Sequence, residues 1–301
     1  MTLAEALTRF LKHLTGERGL AEHTLKNYDR VLAADTQQLS ANGIERPQQF
    51  TFVVAEQMFI RWRRSGLGDA SLALRLAAWR TFCDFMLREG LLSDNPAKQL
   101  KAPRKAKRLP KNLDVDSISQ LLQLPTDEPL AIRDAAMMEL LYSSGLRLAE
   151  LVALDIDSIN PRHRELRVIG KGSKTRIVPY GQHAHDAIQR WLPVRLHWLS
   201  GNLTETALFI SQRQQRISPR TVQQRLNFWG EQQGLSSHLH PHKLRHSFAS
   251  HMLESSGDLR AVQELLGHAN LSTTQVYTHL DFQHLAKVYD GAHPRARKKS
   301  E

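Results

Sequence analysis

The chain of 301 residues is long enough for two domains, because single hydrophobic cores rarely grow past about 250–300 residues. Its 41% hydrophobic and 24% charged content fits packed globular domains and excludes a disordered polyelectrolyte. No apolar run approaches the ~18 residues of a membrane span, a single cysteine excludes an intrachain disulfide, and the net charge of +11 implies a polyanionic partner. Nucleic acid suits that charge better than a membrane surface. Glu5, Arg9 and Lys12 in the first turns are expected to exclude a signal peptide, so a reducing, cytoplasmic setting is predicted.

Residues 1–100 read as helices. Leu3, Leu7, Phe10, Leu11 and Leu14 form one apolar stripe. A second helix is predicted over Thr24–Ala41, with Leu25, Tyr28, Val31 and Leu32 inward, and a third over about Val53–Arg64. The fourth, Ala70–Arg88, buries Leu72, Leu76, Trp79 and either Phe82 or Cys83, which makes Cys83 a core thiol. Four such helices predict a compact bundle. Arg61, Arg63 and Arg64 end the third helix, Lys26 and Arg30 lie on the second, and Arg75 and Arg80 on the fourth. Each is either a solvated face or a phosphate contact. No zinc-finger, basic-zipper or RNA-binding signature is present.

Residues 101–112 carry six basic residues, no acidic one, and Pro103 and Pro110, which prevent a continuous helix. The expected organisation is therefore an N-terminal helical DNA-binding domain (1–100), a basic linker (101–112) and a C-terminal domain (113–301). A basic linker also suits a phosphate backbone, so that two domains can clamp a duplex.

Beyond the linker, Asp116–Leu124 reads as a helix capped by Asp116. Leu130–Ser144 is the most hydrophobic helix of the chain and stops at Gly145. Arg147 follows at the start of another helix, where backbone N–H groups favour an anion. Arg164–Gly170 and Thr175–Tyr180 alternate as strands, joined by the hairpin signal Lys171-Gly-Ser-Lys174. The fold class is thus mainly α with a small β-sheet.

The stretch His240–His279 holds the most unusual chemistry. Pro241 suits a first helical turn, which places His242 and Arg245 on one face above Phe248 and Met252. A short helix, Leu259–Leu266, is broken by Gly267 before His268, and Tyr277 follows nine residues later. A phenol, two imidazoles and a guanidinium, with no carboxylate pair beside them, fit phosphoryl transfer by a tyrosine. Its oxygen, with an ordinary pKa of ~10, then needs a base and nearby positive charge. Arginine's planar fork supplies donors for charge growing on a phosphate.

The set His242-Lys-Leu-Arg245-His, Leu266-Gly-His268 and Tyr277 resembles the tyrosine recombinase family. Upstream, Gly145-Leu-Arg147-x-x-Glu150-Leu resembles that family's first arginine box, and Gly170-Lys171-Gly-x-Lys174 its lysine hairpin. The overall likeness is to the bacterial recombinases that resolve chromosome dimers, and Glu254–Arg260 and Asp281–Leu285 contribute to it. The resemblance implies catalytic roles for Arg147, Lys171, His242, Arg245, His268 and Tyr277, a 3′-phosphotyrosyl intermediate, and no cofactor. It also implies the expected partners: double-stranded DNA with a specific recombination site, a second related recombinase in a heterotetramer, and a DNA-translocating motor at the division site. The helix near Phe282–Tyr289 is expected either to dock on a neighbouring protomer or to pack on its own domain.

Two other readings stay open on the residues alone. Nine histidines follow Ser237, and His240-x-His242 resembles a metal pair, which suggests a metal-dependent phosphodiesterase. Hard cations generally recruit carboxylates, and none is interleaved with His240, His242, His246 and His251. The other reading is a non-catalytic DNA-binding protein.

Overall fold

The computed structural model describes residues 1–16, 22–102, 113–125, 127–170, 175–201, 204–235, 239–267 and 279–296. The chain divides into two compact units, Met1–Leu109 and Pro110–Glu301. Most of the basic linker, residues 103–112, lies outside the described residues.

In the first unit, α1 (Leu3–Gly16), α2 (Glu22–Ala41), α3 (Phe52–Arg64) and α4 (Asp69–Arg88) enclose one core. The apolar stripes explain it: Phe10, Leu32, Leu76, Trp79, Phe82 and Cys83 are completely buried. Burial pushes the Cys83 thiol far above its ordinary pKa, as expected of an inert core thiol. Asp35 is buried among them and accepts from the indoles of Trp62 (3.1 Å) and Trp79 (2.8 Å). Arg75 pairs with the same carboxylate at 2.8 Å, and Arg80 donates to the carbonyls of Ala97 and Leu100. These two arginines therefore hold the bundle together, whereas Lys26, Arg30, Arg61, Arg63 and Arg64 are exposed.

The second unit is built around α6 (Pro129–Ser144), which is buried along nearly its whole length, its charged residues Arg133, Asp134 and Glu139 held there in ion pairs. α5 (Val115–Leu121) precedes it, and its cap is Asp114, not Asp116. Asp114 has the extended backbone a cap requires and accepts from the Ser117 N–H at 2.7 Å, while Asp116 already lies in the first turn. α7 (Leu148–Ala153) leads to an antiparallel sheet of order β1-β2-β3: β1 (Ile159–Asn160), β2 (Glu165–Ile169) and β3 (Thr175–Pro179). Between β2 and β3, residues 171–174, including Lys171, lie outside the described residues. In the ladder Leu166 pairs with Val178 and Val168 with Arg176, and all four are buried. The inward face of this sheet thus contains an arginine.

Five helices complete the unit: α8 (Gln182–Leu199), α9 (Pro219–Gln232), α10 (Pro241–Ser256), α11 (Leu259–Leu266) and α12 (His279–Ala292). Leu285, Tyr289 and Ala292 of α12 are buried in this unit's own core, so the helix packs on its own domain. Among the described residues, no helix is long and apolar enough to cross a membrane.

Candidate active site

Glu150 organises the site. It stands in the first turn of α7, is buried, and accepts from both the backbone N–H of Arg147 (2.8 Å) and its Nη1 (2.9 Å). Arg176 grips the same carboxylate from β3, Nη1 to Oε1 at 2.9 Å and Nη2 to Oε2 at 3.0 Å. Arg245, one turn into α10, approaches Oε2 at 4.0 Å. Burial works to raise the Glu150 carboxyl, but the bonds from Arg176 and Arg147 outweigh it and hold the group below the usual carboxylate range.

Helix ends supply the remaining contacts. Gly145, at the left-handed C-terminus of α6, presents its carbonyl to Arg245. The carbonyl of Leu266, at the end of α11, accepts from Arg245 at 2.6 Å, and that of Gly267 accepts from Arg147 at 3.3 Å. Unpaired C-terminal carbonyls carry partial negative charge, so each arginine is held by a helix end as well as by Glu150. Three guanidiniums nonetheless surround one carboxylate. Burial first, and then the Arg147 charge, push Arg245 down to about 10, which still leaves it cationic at neutral pH. The site has an excess of positive charge and calls for an anion. Arg147, whose side chain is 39% exposed, is the guanidinium that solvent reaches most easily.

The structure thus brings Arg147 and Arg245 together although 98 positions separate them in the sequence. His242 lies exposed in the first turn of the same helix, α10, one turn before Arg245. His240 is the cap of that helix, its Nδ1 accepting from the Lys243 N–H at 3.2 Å, and its ring lies 6.4 Å from that of His242. Among the described residues, no three His, Cys, Asp or Glu side chains gather as a metal site would need. Lys171, His268 and Tyr277 lie outside the described residues. Near Lys171 and His268 in sequence, two described residues are at the site: Gly267 precedes His268, and Arg176 follows Lys171 by five positions. Arg176 is the member that sequence reasoning missed. The available signal was an arginine at an inward position of a strand that otherwise buries valine.

The Phage integrase family model matches residues 111–284, and the model described as Phage integrase, N-terminal SAM-like domain, matches residues 7–90. The chain is 54% identical over 294 residues to the tyrosine recombinase XerC of Haemophilus influenzae, covering 98% of this chain and 99% of the relative. It is 53% identical to XerC of Salmonella typhi, covering 99% and 98% respectively. The fold matches a lambda integrase fragment bound to DNA, with a TM-score of 0.69 at 20% identity over 93% of this chain and 95% of that one. It also matches a lambda integrase tetramer bound to a Holliday junction, with a TM-score of 0.67 at 21% identity over 100% of this chain and 80% of that one.

Proposed function

The chain belongs to the phage integrase family and is a site-specific tyrosine recombinase, and we propose that Tyr277 is the nucleophile that joins it to DNA. The phenolate oxygen attacks a scissile phosphate, the bond to the 5′-oxygen breaks, and a 3′-phosphotyrosyl link forms. Arg147 and Arg245 bind the non-bridging oxygens and stabilise the charge that grows on them in the transition state. Lys171 delivers a proton to the leaving 5′-oxygen, His242 accepts the tyrosine proton, and His268 hydrogen-bonds the phosphate or its ligands. Attack by the 5′-hydroxyl of a partner strand reverses the step, so strands are exchanged without an external energy source or a metal.

The observation that carries this reading is the convergence of Arg147 and Arg245 on Glu150 with positive charge left over. A phosphodiester fits that excess, and the planar forks fit its oxygens. The likeness to the XerC recombinases supports a role beside a second related recombinase, in a synapse of two duplexes and four protomers that resolves chromosome and plasmid dimers. The N-terminal unit, with exposed Arg61, Arg63 and Arg64, serves as a second hold on the duplex, and the recombinase works in the cytoplasm with a DNA-translocating motor at the division site.

The test is covalent capture. A nicked duplex, carrying a site selected from random sequence by the purified protein, traps the adduct because the cleaved strand end diffuses away. In buffer containing EDTA the parent protein is expected to form the adduct, whereas Tyr277→Phe binds the duplex equally well and forms none. An undiminished adduct in Tyr277→Phe would overturn the assignment, and loss of the parent's adduct in EDTA would favour a metal-dependent reaction.

A further inference from the structure

We infer that Arg176 is a positioning residue for strand cleavage, fixing Glu150 so that Arg147 and Arg245 present their donors to the phosphate. The inference rests on the reading that these two arginines bind the scissile phosphate.

Sheet packing does not ask for a cation at this place. Arg176 faces inward opposite Val168, beside Val178, and is only 8% exposed. Burying a guanidinium is costly unless it is paired and hydrogen-bonded, and a valine or leucine would fill an inward strand position without that cost. Its pairing is with Glu150, fork to fork, at 2.9 and 3.0 Å. Each oxygen of Glu150 therefore receives one bond from Arg176 and one from Arg147. Two-point attachment stops the carboxylate from rotating. It also keeps the carboxylate charge from being spent entirely on Arg147.

A second contact ties Arg176 to the other side of the site. A Cβ placed on Gly267 would lie 3.1 Å from both Cζ and Nε of Arg176, so the Arg176 side chain occupies the space that a side chain at 267 would need. The Gly267 carbonyl in turn accepts from Arg147, and the next residue in the sequence is His268. Nε of Arg176 is buried and has no hydrogen-bond partner among the described residues, so among them its hydrogen bonds all come from its two terminal nitrogens. A lysine cannot reproduce this arrangement: it offers one point charge where the site uses a planar fork. Arg176 thus joins the strand that follows Lys171, the helix that carries Arg147 and the turn that precedes His268.

The experiment measures single-turnover adduct formation on the nicked duplex at saturating protein, alongside affinity for the same duplex. Arg176→Ala is expected to slow adduct formation about 100-fold, the order of loss that follows a displacement of about 1 Å at a reacting centre, with affinity close to the parent's and a lower melting temperature, because a buried ion pair loses one partner. Arg176→Lys is expected to remain slow, because charge without the fork does not align Glu150. Arg147→Ala combined with Arg176→Ala is expected to lose less than the product of the two single losses, since part of the Arg176 effect acts through Arg147 and only the part acting through Arg245 remains. Parent-like rates in Arg176→Ala, rescue by lysine, additive losses, or a rate loss matched by an equal loss of affinity would each overturn the inference. Should Arg176→Ala lose its cooperative melt, Arg176→Lys carries the same measurement. Adduct formation by Tyr277→Phe, run in parallel, would overturn the underlying reading while leaving the Arg176 rates to be judged separately.

Discussion

At Gly145 the backbone meets two demands that a side chain cannot satisfy. Its φ is +57°, the left-handed region that closes α6, and a Cβ there would stand 2.4 Å from the Phe248 ring. Its carbonyl also receives Arg245, so displacing this residue disturbs the arginine proposed to bind the phosphate as well as the core. Gly145→Ala is expected to cost about 1–3 kcal/mol, the usual range for overpacking, together with slowed adduct formation. Thermal denaturation checks the first and single-turnover cleavage the second; an unchanged melting temperature would show that Phe248 moves aside freely. Single residues also mark how far the sequence could be read. Arg147 and Arg245 were legible because each sits in a short, ordered motif with a helix start beside it. Arg176 was not, because its significance depends on the register of β2 against β3 and on a glutamate from another element.

Elements with one continuous apolar stripe were the readable ones. The bundle helices, α6 and α11 were expected close to where they lie, whereas α8 and α9 were not anticipated at all. α8 carries Pro193 in its interior, which argues against one continuous helix, whereas Val222, Leu226, Trp229 and Gly230 of α9 recur at helical spacing after Pro219, so that element was legible and went unread. α12 could be read either as a docking arm or as part of its own domain, and sequence periodicity does not separate the two. The structure places it against its own core through Tyr289, whose hydroxyl lies 2.7 Å from Ser143 Oγ, and through His293 just beyond the helix end. The His293 ring stacks on Tyr289 at 4.9 Å and lies 5.0 Å from Tyr142. Burial pushes its pKa down to about 3, and the nearby Arg295, His251 and His183 add to that shift. An unfolded histidine titrates near ~6.5, so the unfolded chain binds more protons between those two values and stability falls as pH drops from 6.5 towards 3. At pH 5 this one group costs about 2 kcal/mol relative to pH 7. His293→Phe, which keeps a ring in the stack, is expected to lose less stability between pH 7 and pH 5 than the parent does. Urea unfolding at both pH values measures the difference, and equal losses in the two proteins would show that His293 is not the group responsible.

For the whole molecule, charge decides how DNA is held before any bond is cut. With 41 Lys+Arg against 30 Asp+Glu, binding should be dominated by counterion release, and each neutralised phosphate contributes about −0.9 to the slope of log affinity against log salt. The arginines of the site account for only part of such a slope, and Arg75 and Arg80 are occupied inside the bundle. The linker is the strongest remaining candidate: Lys101, Arg104, Lys105, Lys107, Arg108 and Lys111 fall within twelve residues that contain no acid. If this segment follows the phosphate backbone between the two units, replacing all six with glutamine must lower the slope by several units, towards a limit of about five. A linker that merely spaces the units predicts no change in slope. Affinity for the selected duplex and for an unrelated one, measured across a potassium chloride series, separates the two. The phosphate-tracking linker is expected to weaken both duplexes alike, because a backbone contact carries no sequence information. A loss confined to the selected duplex would instead assign these side chains to base recognition, and an unchanged slope would remove the linker from the DNA interface.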